Sequence, residues 1–351
     1  MIKEVSLLPW SLFGLLGVVS GVFILPFSVK RVEHNLEIFL FVMGILAVSI
    51  SRLWSKHLLY ESLVEPIKIA LAVFVAGLLF RWVRDHIRSI IGVVIHRIGV
   101  KWFMFGSVVL LGLFSSIITV IIASLILVEI VSSLDFDKKT ETNFVIIACF
   151  ALGLGAALTP IGEPLATIAV SKLKAAPYYA DFFFLVKLLG WYILPGILVL
   201  GLLAARLKPH IRKKESLKED YPESIKNISF RAFKVYLFVM ALVFLGMGLK
   251  PIVDNYIVKL PAGWLYWLNM ISAILDNATL TAAEITPKMD IGHIQAVLMG
   301  LLISGGMLIP GNIPNIIAAG KLKIPSRDWA RLGIPLGLIL MLAYFIVLFW
   351  I

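Results

Sequence analysis

The sequence has 351 residues, of which 60% are apolar and 15% charged, and its formal net charge at pH 7 is +11. Soluble domains contain about 45–50% apolar and about 25% charged residues, so the composition excludes a soluble enzyme, a disordered protein and a disulfide-stapled secreted domain. A membrane protein is predicted, with room for about eight to eleven spans of roughly 20 residues. The basic excess indicates Lys- and Arg-rich cytoplasmic loops rather than a nucleic-acid surface. The single cysteine, Cys149, excludes an intrachain disulfide and a thiolate metal site.

The first predicted unit, residues 1–101, is an N-terminal scaffold. It contains apolar spans at residues 7–29, 36–50 and 64–83. In residues 84–101 apolar and basic side chains alternate at helical spacing, which is typical of a helix lying in the membrane interface. The scaffold is therefore predicted to have three spans and one interfacial helix.

The second predicted unit, residues 102–205, carries two interruptions. Residues 102–134 are too long for one untilted span and have a polar patch at Ser115, Ser116 and Thr119, which predicts a re-entrant hairpin. Residues 143–172 contain Pro160 and Pro164, and two prolines four residues apart cannot lie in an uninterrupted helix. A broken span at 143–172 and an ordinary span at 182–205 complete this unit, and a polar linker at 206–232 follows.

The last predicted unit, residues 233–351, repeats this order. Its parts are a span at 233–249, a hairpin at 258–286, a broken span at 292–320 and a final span at 332–351. The middle of the hairpin is polar, with the sequence SAILDNATLT from Ser272. The broken span contains Pro310 and Pro314, which follow Pro160 and Pro164 at a constant offset of 150. Duplicated halves with interrupted helices are typical of secondary transporters.

The distribution of basic residues predicts an orientation for the two units. If the linker at 206–232 is cytoplasmic, most of the 32 Lys and Arg residues fall on the cytoplasmic side. The first hairpin then enters from the cytoplasm and the second from outside. The predicted fold class is an all-α polytopic membrane protein, an inverted-repeat transporter with two re-entrant hairpins and two broken transmembrane helices.

Candidate binding residues lie at the four predicted breaks, where freed backbone groups persist only beside a cavity or a ligand. Carbonyl, hydroxyl, amide and carboxylate oxygens suit a hard cation, whereas helix N-termini attract anions. Glu163 and Asp276 are the only acids predicted at this depth, and the lack of a neighbouring Lys or Arg favours a cation or a proton. The candidates are Ser115, Ser116 and Thr119 at the first tip, Asp276, Asn277, Thr279 and Thr281 at the second, and Thr159, Glu163, Thr167, Asn312 and Asn315 in the broken spans.

Each candidate also has a purely structural interpretation. Asp276 could cap a helix, and Glu163 could be a protonated carboxyl bonded to the broken backbone. The hydroxyl groups could bond within their own helices. The prolines could kink helices for packing alone, but their duplication favours a functional site.

The stretches GAALTPIGEPLATI and SAILDNATLTAAEI resemble signature sequences of NhaD-type sodium/proton antiporters, within the ion transporter superfamily. They resemble more closely a small prokaryotic family named only as cation transporters. The resemblance implies a homodimer formed through the scaffold, with hairpins and broken helices that move as a rigid transport domain. It also implies a prokaryotic plasma membrane. The cation ligands that it implies are Asp276, Asn277 and Thr279 with Thr159, Glu163, Asn312 and Asn315, and a sodium site at Asp276, Asn277 and Asn312.

One departure concerns the first hairpin tip. This chain has Ser115 and Thr119 where superfamily members often have an Asn-containing motif, which implies a weaker or absent first cation site.

The leading functional prediction is exchange of sodium, or another monovalent cation, for protons by elevator-type alternating access. The alternative is sodium-coupled transport of a carboxylate or oxyanion, with Thr159 and Asn312 contacting the anion. An intramembrane aspartyl protease would need a GxGD sequence, and neither GxGD nor HExxH occurs, so no enzyme is predicted. The bilayer and the transported ions are the predicted partners, with no cofactor and no nucleic acid.

Overall fold

The computed structural model describes residues 9–29, 31–32, 35–134, 136–208, 224–252, 255–256, 260–275 and 277–350. Every regular element in these ranges is a helix, which confirms the all-α prediction. Four helices of the described residues are long and apolar enough to cross a membrane, and four shorter apolar helices accompany them. The chain is therefore a helical membrane protein.

The N-terminal part forms three helices: α1, Pro9–Ser28; α2, Leu36–Ser51; and α3, Lys56–Ile118. Helix α3 contains both the third predicted span and the predicted interfacial helix. Its only interior residue with non-helical dihedrals is Gly99, at φ 78° and ψ 156°. Two helical segments therefore meet at Gly99, and residues 84–98 continue the segment that begins at Lys56. The position of residues 84–101 in the membrane interface stays a prediction. A change from apolar to mixed side chains does not end a helix when the stretch has no proline and its residues tolerate helical dihedrals.

The next four helices are α4, Val120–Ser133; α5, Lys138–Ala156; α6, Pro164–Lys172; and α7, Phe184–Ala205. After α7, residues 209–223 lie outside the described residues. Helix α8, Ile225–Ile252, begins inside the stretch predicted as a linker. The linker at 206–232 is thus shorter than expected, because its basic residues near the end are compatible with an exposed helical turn.

Five helices and two 3₁₀ segments complete the described chain. They are α9, Ala262–Leu268, continued by a 3₁₀ segment, Asn269–Ala273; α10, Asn277–Glu284; α11, Ile291–Gly305; α12, Ile313–Leu322; and α13, Ser326–Trp350. A 3₁₀ turn, Ile309–Gly311, lies between α11 and α12.

Helices α5 and α11 begin in the same way. Asp137 accepts a hydrogen bond from the backbone N–H of Thr140 at 3.1 Å, and Asp290 accepts one from that of His293 at 2.9 Å. Each aspartate therefore satisfies a free N–H group in the first turn. The bond from His293 also holds the pKa of the exposed Asp290 carboxyl below its ordinary value. Both helices then run into the interior, where residues 144–156 of α5 and 296–305 of α11 are buried.

Small residues let α2 and α8 approach closely. A Cβ atom added to Gly44 would lie 2.8 Å from the Cβ of Phe244, and one added to Gly248 would lie 2.5 Å from the Cβ of Ala47. The Ser51 hydroxyl donates to the Gly248 carbonyl. Helix α1 packs on α2, so α1, α2 and α8 form one group, which we call the scaffold helices. Close backbone packing at small residues is typical of helices in membranes.

Candidate functional site

Four short helices begin at interruptions of the chain, and we call them the break helices. They are α4, preceded by Thr119; α6, preceded by Glu163; α10, which starts at Asn277; and α12, preceded by Asn312. The first N–H groups of any helix lack intrahelical partners and carry partial positive charge. The predicted binding residues with described side chains lie in a break helix, in the loop before it or at the end of the preceding helix.

At residues 115–120, the predicted tip of the first hairpin, hydroxyl groups join the chain to the break between α5 and α6. Ser115 is fully buried and donates to the carbonyls of Gly112, at 2.6 Å, and Leu152, at 3.1 Å. Thr159 donates to the Ser116 carbonyl at 2.5 Å. The backbone N–H of Val120, which opens α4, donates to the Gly162 carbonyl at 2.8 Å. The tip and the break between α5 and α6 are therefore one hydrogen-bonded unit.

The break between α11 and α12 is held by a buried amide. Asn315 is fully buried, and its Nδ2 donates to the carbonyls of Gly305, at 2.9 Å, and Leu308, at 2.8 Å. Its Oδ1 has no hydrogen-bond partner among the described residues. The indole N–H of Trp329 donates to the Gly306 carbonyl at 3.2 Å. At the break between α5 and α6, the Thr167 hydroxyl donates to the Pro160 carbonyl at 2.5 Å.

The caps of α6 and α12 occupy equivalent places in the two halves. Helices α5 and α11 end at Ala156 and Gly305, and the N-cap positions of the following helices are Glu163 and Asn312, so both differences equal 149. The Asn312 side chain accepts a hydrogen bond from the first N–H of α12, whereas Glu163 makes no such bond to α6. The offset between the prolines is 150, so the prolines stand one residue out of register with the helix ends. Pro164 is the first residue of α6, whereas Pro314 is the second of α12. Glu163 and Asn312 are each 4% exposed.

The two breaks contact each other. A Cβ atom added to Gly153 of α5 would lie 2.6 Å from the Asn312 Nδ2, so the Asn312 amide sits directly against the other half. Across the same contact, a Cβ atom on Gly306 would meet the Phe150 ring. The break helices also pack on one another in pairs: α4 packs on α12, and α10 packs on α6. Each half therefore completes the surroundings of the other.

The second hairpin tip is described in part. Asp276 lies outside the described residues, and so does the side chain of Thr279. Asn277 is 4% exposed and its Nδ2 has no hydrogen-bond partner among the described residues. The Thr281 hydroxyl donates to the Asn277 carbonyl at 2.8 Å, within the helix. At the first tip, Thr119 accepts only a long bond, 3.5 Å from the Ile122 N–H.

A buried carboxylate that the sequence analysis did not single out ends α10. Glu284 is fully buried, and its Oε2 accepts a hydrogen bond from the Nδ2 of Asn269 at 2.9 Å. The spacing of Asn277, Thr281 and Glu284 is i, i+4, i+7, which places the three on one helical face. That spacing was the available signal, because a polar stripe inside an apolar hairpin needs a partner or a function.

The charges around the breaks are few. Lys321 of α12 lies 4.0 Å from the buried Glu129 of α4, and Lys234 of α8 lies 2.7 Å from Glu37 of α2. A cavity of about 780 Å³ opens beside these lysines and reaches Ile309 at the second break. Among the described residues no group of three or more His, Cys, Asp or Glu side chains could hold a metal ion. The polar groups at the breaks are mainly carbonyl, amide and hydroxyl groups.

Comparison with known families adds one finding. Residues 13–351 match the model of the family described as "Protein of unknown function (DUF1646)". The chain belongs to this family. A search of curated proteins finds no match. The family description leaves the resemblance to the ion transporter superfamily a prediction.

Proposed function

We propose that this DUF1646 chain is a secondary active transporter that exchanges sodium, or another monovalent cation, for protons. The observation that carries the proposal is the pair of equivalent buried caps, Glu163 and Asn312, at two helix breaks that contact each other. Breaks of this kind persist in an apolar chain where they surround a ligand or a cavity.

Oxygen atoms around the breaks favour a cation as the ligand. The buried Asn315 presents an Oδ1 that no described residue contacts, and Glu163 brings a carboxylate to the start of α6. A carboxylate buried inside a membrane protein is costly, and such acids are typical of ion and proton sites. Asp276, next to Asn277 in the sequence, would add a second carboxylate.

The cavity supports alternating access of elevator type. It lies between α2 and α8 of the scaffold helices on one side and α12 of the break helices on the other, and its inner end is Ile309. In an elevator mechanism the break helices would move against the scaffold helices, so the surface between these two groups must be loosely packed. An open cavity at that surface offers a route for water and ions. We also propose an inverted orientation of the two halves, with residues 206–232 cytoplasmic in a prokaryotic plasma membrane, and a homodimer formed through the scaffold helices.

An alternative substrate is favoured by one specific observation. The Asn277 Nδ2 is a buried donor with no partner among the described residues, at the N-terminus of α10. Such a donor and the partial positive charge of a helix N-terminus suit an anion. Sodium-coupled transport of a carboxylate or oxyanion is therefore the second candidate function.

A vesicle experiment distinguishes the two functions. Purified protein reconstituted into liposomes with an internal pH dye is challenged with sodium, lithium, potassium, a dicarboxylate and an oxyanion in turn. For the exchanger, an inward gradient of sodium alone should alkalinise the lumen as protons leave. An anion transporter should show no pH change with sodium alone and should take up labelled anion only when sodium is present.

Two acid variants test the proposed ion site in the same assay. Glu163→Gln and Asp276→Asn each remove one negative charge and should lower the sodium-driven rate at least about tenfold, equivalent to roughly 1.4 kcal/mol. Asp181→Asn is the matched control, because Asp181 is an exposed acid that pairs with Lys187 at 2.9 Å. Equal rates in all three variants and the wild type would contradict the proposal.

A further inference from the structure

The buried pair of Glu284 and Asn269 lies outside the set of residues at the breaks. Asn269 is the first residue of the 3₁₀ segment after α9, and Glu284 is the last residue of α10. Both residues are 0% exposed. One hydrogen bond joins them, from the Asn269 Nδ2 to the Glu284 Oε2 at 2.9 Å. Asn269 Nδ2 also lies 3.4 Å from the Val297 carbonyl of α11.

Two oxygen atoms of this pair are left without a donor. The Glu284 Oε1 and the Asn269 Oδ1 are both buried, and neither has a hydrogen-bond partner among the described residues. Buried polar atoms nearly always form hydrogen bonds, so two buried acceptors without a donor in one pair require an explanation. One proton supplies what both lack: on Oε1 it neutralises the carboxylate and creates a donor, for which Oδ1 is the acceptor in the same pair.

No positive charge of the described residues compensates Glu284. Helix α10 packs against α6, α8 and α11. Their described titratable side chains, with the capping residues, are Lys172 and Glu163 for α6, Lys226, Lys234, Tyr236 and Lys250 for α8, and His293 and Asp290 for α11. None of the basic nitrogens among them forms an ion pair with Glu284, and His293 pairs with Asp290 at 2.6 Å. On α9, the Tyr266 hydroxyl donates to the Met341 carbonyl instead.

We propose that Glu284 and Asn269 form a proton-binding site. In the protonated state, the amide Nδ2 donates to Oε2 and the carboxylic acid donates from Oε1 to Oδ1, so each group gives one hydrogen bond and accepts one. The proton enters from water and returns to water, and no covalent bond between heavy atoms changes. Asn277, in the proposed ion site, lies seven residues earlier on the same face, about 10 Å along the helix axis. This inference rests on the proposed function in one respect, because the proton held here would be the one exchanged for the cation.

The test is the pH dependence of unfolding in detergent, which requires no transport. The folded protein binds this proton more tightly than the unfolded chain does, so a rise in pH from 6 to 9 favours unfolding. The Tm of the wild-type protein should therefore fall by about 5 °C over this range. Glu284→Gln replaces the acid by an amide that makes the same two hydrogen bonds without a proton. The variant should fold, and its Tm should stay level over this range. A fall equal to that of the wild type would overturn the proposal.

A control and a second variant keep the result decisive. Glu129→Gln changes another buried acid, whose carboxylate already faces Lys321, and should leave the fall in Tm in place. If Glu284→Gln does not fold, Glu284→Asp serves instead. Its shorter side chain withdraws the carboxyl from Asn269, so the midpoint of the Tm profile should shift. An unchanged midpoint would overturn the proposal.

Transport separates this inference from the proposed function. If the wild type exchanges sodium for protons and Glu284→Gln loses the exchange, the pair carries the coupled proton. If Glu284→Gln exchanges with an unchanged rate and pH profile, the coupling role is overturned. If the wild type exchanges nothing while its Tm profile depends on Glu284, the proton site is supported and the proposed function fails.

Discussion

Thr119 adopts a backbone conformation that side chains rarely tolerate. Its φ of 72° and ψ of 147° lie in a region used almost only by glycine, and a β-branched residue there is strained. The strain occurs between α3 and α4, where the Val120 N–H joins the first hairpin tip to the first break. Strained residues of this kind cluster at functional sites, which supports a role for the tip.

Substitution at Thr119 separates strain from side-chain chemistry. Thr119→Gly should stabilise the protein by about 1 kcal/mol, because glycine accepts this conformation and the relief exceeds its entropic cost. Thr119→Ala removes the same hydroxyl group but keeps the strain, and should not stabilise. Thermal unfolding in detergent measures both variants, and identical Tm changes would show that Thr119 is not strained.

Asn315 gives a second prediction at this scale. Asn315→Leu removes two hydrogen bonds and leaves the Gly305 and Leu308 carbonyls buried without a donor. The expected loss of stability is about 2–4 kcal/mol. Asn227→Leu, at an exposed residue near the start of α8, is the matched control and should change stability by less than about 0.5 kcal/mol. Similar Tm values for the two variants would show that the two hydrogen bonds of Asn315 do not stabilise the break between α11 and α12.

At the level of single residues, the sequence predicts which side chains gather at the breaks better than it predicts their bonds. Thr159 was expected to face an ion, and its hydroxyl donates to the Ser116 carbonyl. Glu284 was overlooked because it stands at the end of an apolar stretch, where an acid is expected at the surface. The tertiary contact with Asn269, 15 residues away, is not visible in local sequence.

Among the helices, close glycine contacts decide how the first hairpin meets α5. A Cβ atom on Gly155 would overlap the Gly112 carbonyl and lie 3.0 Å from the Ser115 Oγ. The end of α3 and helix α5 therefore approach so closely at Gly155 that no larger residue fits there.

Gly155→Ala should accordingly destabilise the protein by about 1–3 kcal/mol, since the added methyl group forces the two helices apart. Gly106→Ala is the control, because Gly106 also lies in a helix, α3, but nothing lies within 4 Å of its added Cβ. That variant should be neutral or stabilising by up to about 1 kcal/mol. The ranking of the two Tm values checks the prediction, and a reversed order would refute it.

Composition and the lengths of the apolar stretches predict helices correctly, but they do not predict several helix boundaries. The all-helical character was predicted from composition and is confirmed. The start of the predicted helix at 84–101 is not a helix boundary, because the segment that begins at Lys56 continues to Gly99, where the helix breaks. A local pattern of charges reports what surrounds a helix and carries little information about where the backbone stops.

For the whole molecule, the cavity between the scaffold helices and α12 offers a direct test of movement. Gly320 lines this cavity, and nothing lies within 4 Å of a Cβ atom placed there. Gly320→Trp places an indole ring in the cavity and should slow the proposed exchange about tenfold, or roughly 1.4 kcal/mol in activation free energy. Gly17→Trp, on α1 with equally open space, is the control and should exchange at the wild-type rate. Equal rates for the two variants would mean that the cavity is not on the transport route.

The burial of Cys149 has a practical consequence. It is the only cysteine of the chain and is fully buried in α5, where a thiol is shielded from reagents in solution. A cysteine introduced at Gly320 would therefore be the single thiol within reach of a maleimide, in an otherwise natural chain. The rate at which a membrane-impermeant maleimide labels it, from either side of the vesicle and with or without sodium, would report which side the cavity faces.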